Sequence, residues 1–249
     1  EGTSGLYERG GGPDQNLILL DGVPVYNASH LFGFFSVFNA DAVNRVELIK
    51  GGFPARYGGR LSSVVDISMK EGNSKKIKGE GAIGLVASRL TLEGPIKKDK
   101  TSFIVSARRT YIDLLAKPLI TEIAQGETSG YYFYDINTKI NHTLNDRNRI
   151  YLSLYAGNDK AYSKTEDFYI ADNQRVDYKD ESGLQWGNIT AALRYNHIIS
   201  NQLFSNLTAT YSRYRFNIFD KHTQKTTDPD FVETEYTVNE YISGIRDYA

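Results

Sequence analysis

The residue types that most often carry catalysis or bind metals are sparse in this chain and do not form groups. Its four histidines stand apart, without the spacing of metal ligands, at His30, His142, His197 and His222. It contains no cysteine, which excludes disulfides and thiolate metal sites. No local arrangement of Ser, His and Asp points to nucleophilic catalysis. The sequence therefore predicts no catalytic residue, no metal site, no cofactor and no enzymatic activity.

A glycine-rich segment, GGFPARYGGR at 51–60, invites comparison with phosphate-binding loops. It lacks the Gly-Lys-Ser/Thr sequence, and no predicted helix follows it to offer an amino-terminal dipole to a phosphate. We therefore expect these glycines to allow tight turns in a compact sheet. The 29 basic and 30 acidic residues leave a net charge of -1, which offers no electrostatic case for nucleic acid binding.

An aromatic loop, HLFGFFSVF at 30–38, is the main candidate for ligand contact. His30, Phe32, Phe34 and Phe35 would stack on a solute if the loop faced an open vestibule. Alternatively, these rings pack against another part of the protein, which is the commoner fate of phenylalanine. Both interpretations remain open at this point.

Short β elements and turns must position this loop within the first seventy residues. Asp21-Gly22 lies between two short apolar runs, and this dipeptide is typical of a two-residue β-hairpin turn. Asn39 is placed to cap a single helical turn. Four strands are predicted, at 17–20, 23–26, 46–50 and 63–69.

From Ile77 onward, apolar and polar residues alternate with a period of two, which is typical of β-strands. The apolar residues stand at odd-numbered positions before Ala87 and at even-numbered positions directly after it. Because a strand cannot exchange its two faces without an interruption, we predict a tight turn at 86–88 and eight strands in all. Short connections are predicted at 95–100, 145–148 and 200–202, and long ones at 114–130, 159–183 and 220–230.

This alternation of short and long connections favours an outer-membrane β-barrel, whose short turns face the periplasm and whose long loops face outward. Polar residues opposite an apolar face (Asp135, Asn137, Lys139) and aromatic residues at strand ends (Tyr132, Phe133, Tyr134) favour the same fold. The alternative is a soluble β-sandwich. Eight strands are too few for a plugged pore, which has about 22, so we expect this sequence to be an internal piece of a longer protein.

The first part of the chain resembles the plug domain of TonB-dependent outer-membrane receptors. The resemblance covers residues 5–70 and rests on YERGGG, LILLDGVPVYN, VNRVELIKGG and ARYGGRLSSVVDI. It departs from the family pattern at Glu8, at Lys50 and in SSVVDI. The resemblance implies a β-dominated fold, with a small mixed plug domain at 1–72 followed by antiparallel transmembrane barrel strands at 73–249.

The same resemblance implies TonB-dependent active uptake of a solute across the outer membrane of a Gram-negative-type bacterium. TonB would engage a segment that precedes this sequence. The other expected partners are outer-membrane lipid, a small or oligomeric solute and, as an option, a surface lipoprotein, whereas nucleic acid is not expected. The alternative function is that of a non-transporting plugged-barrel subunit that docks partners in an outer-membrane assembly.

Charged residues are expected to hold the plug against the wall. The candidates are Arg9, Glu47, Lys50 and Arg56 on the plug and Arg108, Lys139 and Arg194 on the wall. The three wall cations would either touch a ligand or pair with plug carboxylates such as Glu47. Lys50 stands where the family has arginine, and lysine cannot form the bidentate pair that arginine makes with a carboxylate.

Overall fold

Two β-sheets carry the architecture, a small mixed sheet from the first seventy residues and a large antiparallel sheet from the rest. The computed structural model describes residues 6–8, 10–33, 35–111, 113–115, 127–227 and 233–248. In the plug, the strands are β1 (Asn16–Leu20), β2 (Val23–Pro24), β3 (Ser29–His30), β4 (Phe35–Ser36), β5 (Val43–Lys50) and β6 (Ser63–Met69). Short 3-10 turns lie at Pro13–Gln15 and Leu31–Gly33.

The small sheet has the strand order β2-β1-β6-β5. Strands β1 and β6 run parallel, with Asn16 opposite Ser63 and Leu20 opposite Ile67, while β5 and β6 are antiparallel. Its core contains Leu20, Val25, Val37, Ala42, Ile67 and Met69, together with Tyr155 from the large sheet. One side chain of the large sheet therefore belongs to the core of the small one.

The predicted Asp-Gly hairpin is confirmed. Leu20 pairs with Val23 across a two-residue turn, and Asp21 and Gly22 have φ angles of 49° and 84°. Both residues lie in the left-handed region that this turn type requires and that glycine adopts without strain. The helical turn predicted at Asn39 is instead a simple hydrogen-bonded turn, in which the Ala42 amide donates to the Asn39 carbonyl oxygen at 3.0 Å. No helix among the described residues is long and apolar enough to cross a membrane.

The large sheet, called the wall from here on, is an antiparallel meander of the eight predicted strands. They are β7 (Lys78–Ile83), β8 (Ala87–Lys97), β9 (Thr101–Thr110), β10 (Glu127–Asn145), β11 (Asn148–Ala171), β12 (Gln174–Ile198), β13 (Phe204–Thr227) and β14 (Glu233–Tyr248). Each strand pairs with its neighbours in sequence, and β7 and β14 are the two edges. Within the described residues the sheet is therefore open.

The connections follow the predicted alternation, with two corrections. The tight turn lies at residues 84–86, where the Gly84 amide donates to the Ala87 carbonyl oxygen at 3.0 Å. The segments predicted as long loops at 159–183 and 220–230 are mostly strand: β11 and β12 continue to a two-residue turn at Asp172–Asn173, and β13 extends to Thr227. Most of the predicted loop at 114–130 lies outside the described residues.

The wall has the opposite polarity to a soluble domain. Its inner face, which covers the plug, buries polar side chains, among them Ser106, Asp135, Asn137, Asn188 and Ser212. Its outer face exposes large apolar side chains, among them Leu90, Ile136, Leu154, Leu193 and Leu207. This arrangement suits a sheet with lipid on one side and a polar lumen on the other. Within the described ranges, the fold is a small mixed sheet covered by one face of an open antiparallel sheet of eight strands, whose other face is apolar.

We predict that a charge on the outer face of the wall lowers stability sharply. Leu193 lies on this face with 51% of its surface exposed. In the complete protein, reconstituted in lipid vesicles, Leu193→Arg should lower the free energy of unfolding by about 2–4 kcal/mol, because arginine would enter hydrocarbon. Urea titration measures this change.

The matched control is Thr226→Arg, near the end of β13 and far from the apolar band, which should change the same free energy by less than about 0.5 kcal/mol. Equal effects of the two substitutions would contradict the lipid-facing assignment.

Candidate functional site: the boundary between plug and wall

One charged contact between plug and wall is centred on the carboxylate of Asp21, in the hairpin turn between β1 and β2. Lys139 on β10 places its Nζ 3.0 Å from Asp21 Oδ1 and 3.2 Å from the Met69 carbonyl oxygen. Ser153 on β11 donates its hydroxyl to Asp21 Oδ2 at 2.6 Å. The Met69 amide donates to Asp21 Oδ1 at 3.1 Å. Both carboxylate oxygens therefore have partners, as a buried charge requires.

A third wall strand reaches the same turn through Arg194 on β12. Its Nη2 donates to the Asp21 carbonyl oxygen at 3.1 Å. A Cβ on Gly22 would lie 3.2 Å from that nitrogen, so the close approach of Arg194 and the positive φ both favour glycine here. The Asp-Gly turn is therefore the point at which three wall strands hold the plug.

A polar cavity of about 340 Å³ lies beside this turn, between plug and wall. Arg45 and Glu71 line its plug side, and Lys139 and Arg194 line its wall side. The volume is large enough for several water molecules. Water that entered this cavity would reach both partners and weaken the ion pair between Lys139 and Asp21 relative to one in a dry core.

A second charged contact lies around His30, whose side chain is only 1% exposed. Its Nδ1 is 2.6 Å from Asp159 Oδ2 on β11, and its Nε2 is 3.4 Å from Asp135 Oδ2 on β10. The imidazole stacks on Phe133, with ring centroids 4.0 Å apart. His30 therefore lies between two wall carboxylates and against a wall ring.

Further hydrogen bonds fix these two carboxylates. Arg108 on β9 donates to Asp135 Oδ2 from Nε at 2.9 Å and from Nη2 at 2.7 Å, and Nη2 also donates to the Ser36 carbonyl oxygen of the plug at 2.6 Å. The Tyr131 hydroxyl donates to Asp159 Oδ1 and accepts from the Leu31 amide at 2.6 Å. The backbone on both sides of the 3-10 turn is thereby tied to the wall.

The surroundings of His30 favour its charged form. Burial by itself lowers the pKa of a histidine, but hydrogen bonds and charge attraction from Asp135 and Asp159 outweigh it, so the pKa of His30 is raised above its ordinary value of 6.5. An imidazolium can donate from both ring nitrogens at once. The plug can therefore present a cation to a wall that presents two carboxylates.

Uncharged hydrogen bonds complete the boundary. The Asn39 side-chain amide donates to Ser106 Oγ at 2.7 Å. The Asn188 side chain accepts from the Tyr26 amide at 3.2 Å and donates to the Tyr26 carbonyl oxygen at 2.6 Å. The Ser212 hydroxyl donates to the Pro24 carbonyl oxygen at 2.7 Å. Side chains of the wall thus satisfy backbone groups at the edge of the plug.

The wall cations predicted from sequence, Arg108, Lys139 and Arg194, all lie at this boundary. Three of the predicted plug residues have their observed partners within the plug instead. Glu47 pairs with Arg45 at 3.3 Å, Lys50 with Glu8 at 3.4 Å, and Arg56 donates to the Tyr57 hydroxyl at 2.8 Å. The expected pairing of wall cations with Glu47 is therefore corrected, because Asp21 and Asp135 take two of those cations.

The aromatic loop meets the wall on its described side. Phe35 lies in β4 with its ring centroid 5.7 Å from that of Phe133. Phe133, predicted to sit in an interfacial girdle, instead points inward and is fully buried. Arg9 and Phe34 lie outside the described residues, as does the Phe32 side chain. Ligand contact by His30, Phe32, Phe34 and Phe35 stays a prediction.

Several residues that lie at the boundary are not among those predicted from the sequence. These are Asn39 and Asp41 on the plug and Arg89, Ser106, Asp159, Asn188 and Ser212 on the wall. The usable signal was strand parity, since every wall residue in this set faces inward. Within the described residues, no group of three or more His, Asp or Glu side chains is arranged to hold a metal ion.

Comparison with models of protein families gives a match in the first part of the chain. Residues 1–65 match the family model of the TonB-dependent receptor plug domain. Comparison with curated protein sequences gives no match.

Similar solved structures include the siderophore receptor PirA from Acinetobacter baumannii (16% identity, TM-score 0.43, 86% of this chain and 40% of that chain). Another is PirA from Pseudomonas aeruginosa (16%, 0.42, 96% and 48%). A third is the outer membrane transporter YddB from Escherichia coli (11%, 0.42, 96% and 46%). The chain spans less than half the length of each of these proteins.

We predict strong coupling between Asp21 and Lys139, which are 5% and 8% exposed. Lys139→Met should reduce the free energy of opening of the plug by about 3 kcal/mol, because it leaves a buried carboxylate without its cation. A double-mutant cycle with Asp21→Asn should give a coupling of about 1–3 kcal/mol. Hydrogen exchange of the plug amides in the complete protein measures both quantities.

The matched control is the exposed pair Arg45 and Glu47, for which the same cycle, with Arg45→Met and Glu47→Gln, should give less than about 1 kcal/mol. A coupling energy between Asp21 and Lys139 no larger than that of the control pair would show that this turn does not hold the plug.

We predict that the contact around His30 weakens as the pH rises. Because the pKa of His30 is raised in the folded protein, its contribution is fully present below the unfolded value of 6.5 and is lost as the pH rises through the folded value. Plug amides near Leu31 should therefore exchange faster above that pH, after correction for the intrinsic pH dependence of exchange.

His30→Gln should abolish this dependence, whereas His222→Gln, at an exposed pair with Asp180, should leave it in place. Weakening towards acid pH in the unsubstituted protein would be the opposite sign and would refute the assignment.

Proposed function

We propose that this chain, the plug domain and adjoining wall strands of a TonB-dependent receptor of the outer membrane, takes part in TonB-driven uptake of a solute through the barrel that the plug closes. TonB is the expected partner, acting on a segment outside these 249 residues. The solute is small or oligomeric, and its chemical class is left unassigned. No covalent chemistry is required, since the work is done by moving the plug.

The polarity of the plug–wall boundary is the observation that carries this proposal. Apart from the ring contacts of Phe133 and Tyr155, the contacts described above are hydrogen bonds or ion pairs between groups that water can also satisfy. The net stabilisation from one such hydrogen bond is about 0.5–1.5 kcal/mol, because breaking it in water restores equivalent bonds to solvent. A plug held in this way closes the pore, yet a directed force can displace it in steps.

The two charged contacts lie at different heights along the wall strands, so one of them is nearer to the periplasmic end. Along β11, Ser153 at the Asp21 contact lies six residues nearer the short turn at 146–147 than Asp159 at the His30 contact. The short turns face the periplasm in barrels of this kind. The His30 contact is therefore the outer one, and the Asp21 contact is nearer to the side on which TonB acts.

This order supports a role for the aromatic loop in sensing the solute. The loop follows His30 directly, so a solute that settles on Phe32, Phe34 or Phe35 would press on the outer charged contact. Loosening that contact would leave the Asp21 contact to resist the pull from the periplasm. Ligand binding at the loop and release at the turn are thereby linked through the plug.

A thiol reporter tests TonB-driven plug movement. Ser106 is fully buried beneath Asn39, and the chain has no cysteine, so Ser106→Cys introduces one hidden thiol. In cells that make the complete receptor, a membrane-impermeant maleimide should label this thiol faster when solute and functional TonB are both present, since the plug then uncovers the wall.

The matched control is Ser129→Cys, on an exposed part of β10, which should be labelled equally with and without TonB. Ferric siderophores, cobalamin, oligosaccharides and peptides are the solutes to supply. If the labelling rate of Ser106→Cys does not depend on TonB with any of these solutes, the transport proposal is wrong and a docking role is favoured.

A further inference from the structure

A cluster of cations and aromatic rings lies on the outward face of the wall. We call it the upper cluster, and it consists of Arg109, Tyr132, Lys160, Tyr162, Lys164 and Phe219. Along β11, Tyr155, Gly157 and Asp159 face the plug and are buried. Because a strand alternates its faces, Lys160, Tyr162 and Lys164 face outward. The upper cluster therefore takes no part in the plug–wall boundary.

The upper cluster lies where the apolar band of the wall ends. The outward positions of β11, read upward from its short turn, are Ile150, Leu152, Leu154 and Ala156, followed by Asn158 and Lys160. Lys160 is twelve residues from Asn148, which at about 3.3 Å per residue and a tilt of about 40° is roughly 30 Å above the periplasmic turn. The apolar band of such barrels is about 25 Å tall, which puts the upper cluster at the level of the lipid headgroups on the outer side.

The rings of the upper cluster hold its cations in place. Lys160 Nζ is 4.8 Å from the centroid of Phe219 and 5.6 Å from that of Tyr162, while Lys164 Nζ is 5.0 Å from the Tyr162 centroid. Arg109 lies over Tyr132 at 5.5 Å. The rings of Tyr132 and Tyr162 are 6.5 Å apart and join the two halves. Cation–π contacts restrict long side chains that would otherwise move freely.

Among the residues that the structure describes, the two lysines of the upper cluster share one paired carboxylate. Glu181 on β12 accepts from Lys160 at 2.7 Å and lies 3.3 Å from Lys164. One carboxylate thus serves two ammonium groups, each with three N–H donors, and Arg109 adds a third cation. Arg213 and Arg215 face outward on β13, two strands further along. The outward positions named here carry five cations and one acid.

We propose that the upper cluster binds the phosphate groups of a phosphorylated glycolipid in the outer leaflet. Phosphate supplies the charge and the acceptor oxygens that the lysines and Arg109 lack. Arg109 and Lys160 are two strands apart, about 10 Å along the sheet, which is wider than one phosphate and suits a headgroup with two. Leu154, directly below on the outer face, offers an apolar surface to the acyl chains.

This inference goes beyond the proposed transport function and does not depend on it, since it concerns the opposite face of the wall. A receptor that fails to transport would still bind the lipid, and one that transports would do so whether or not the lipid is bound. The two proposals therefore fail separately.

The test is a titration of the complete receptor, in mild detergent, with bisphosphorylated lipid A, followed by native mass spectrometry. Replacing both lysines in Lys160→Gln with Lys164→Gln should weaken binding about 25-fold, since each cation near a lipid surface contributes about 5-fold. Dephosphorylated lipid A should bind the unsubstituted protein as weakly as the intact lipid binds this variant. Inorganic phosphate should not compete at equal concentration, because the acyl chains hold the headgroup at the surface.

The matched control replaces two cations at the periplasmic end, Lys97→Gln with Lys98→Gln, and should leave binding unchanged. Glu181→Gln should tighten binding by removing the competing carboxylate, an outcome that a purely structural role for the cluster would not give. Equal binding by the unsubstituted protein and the double-lysine variant overturns the proposal, as does equal loss in the control or equal affinity for dephosphorylated lipid.

Should the double-lysine variant fail to reach the membrane, Glu181→Gln and Arg109→Gln decide between the outcomes. Tighter binding by the first and about 5-fold weaker binding by the second support the site, and any other pair of results overturns it.

Discussion

The polar inner face of the wall is the constraint on which the rest of the structure depends. A wall that surrounds a pore carries alternate residues towards the lumen, and these are polar because the lumen is wet when open. When the plug fills the lumen, the same residues are buried and must find partners, since an unpaired buried polar group is costly. The plug meets part of this demand with exposed backbone edges and with a few charged side chains, of which Asp21 and His30 are the most enclosed.

That constraint explains why the boundary differs from an ordinary domain interface. An apolar interface would hold the plug through one large contact area, which a local force could not break in small steps. Hydrogen bonds such as Asn39 to Ser106 or Ser212 to Pro24 are separate, and water can replace each one in turn. Two wall rings are exceptions: Tyr155 enters the apolar core of the plug, and Phe133 packs against His30 and Phe35. The boundary therefore combines a few ring contacts with many exchangeable ones.

The sequence predicts which side chains of the wall strands face inward, but not which plug residues they contact. Parity predicted that Lys139 and Arg194 face the lumen, and the Asp-Gly pair predicted the turn that they hold. It did not predict that Asp21 rather than Glu47 meets Lys139, because the partner depends on how the plug sits in the wall. Phe133 is predicted in the girdle because an aromatic residue at a strand end is typical of one. It lies on the same face of β10 as Asp135 and Asn137, however, and therefore faces inward. The sequence predicts loops at 159–183 and 220–230 because a strand with solvent on both faces does not alternate polar and apolar residues. Such a strand cannot be told from a loop by periodicity.

The parallel pairing of β1 with β6 has a mechanical consequence. A pull that enters through the amino-terminal end of β1 is resisted at the carboxy-terminal end of β6, where the chain runs on into the wall and the Glu71 carbonyl oxygen accepts from the Ser102 hydroxyl at 2.7 Å. In a parallel pair these two ends lie at opposite ends of the ladder, so the load acts along the strands. All the backbone hydrogen bonds from Asn16 to Leu20 then bear the force together rather than one after another, as they would in an unzipping hairpin. The parallel pairing thus resists a pull along the strands, whereas the separate contacts around the plug can break one at a time.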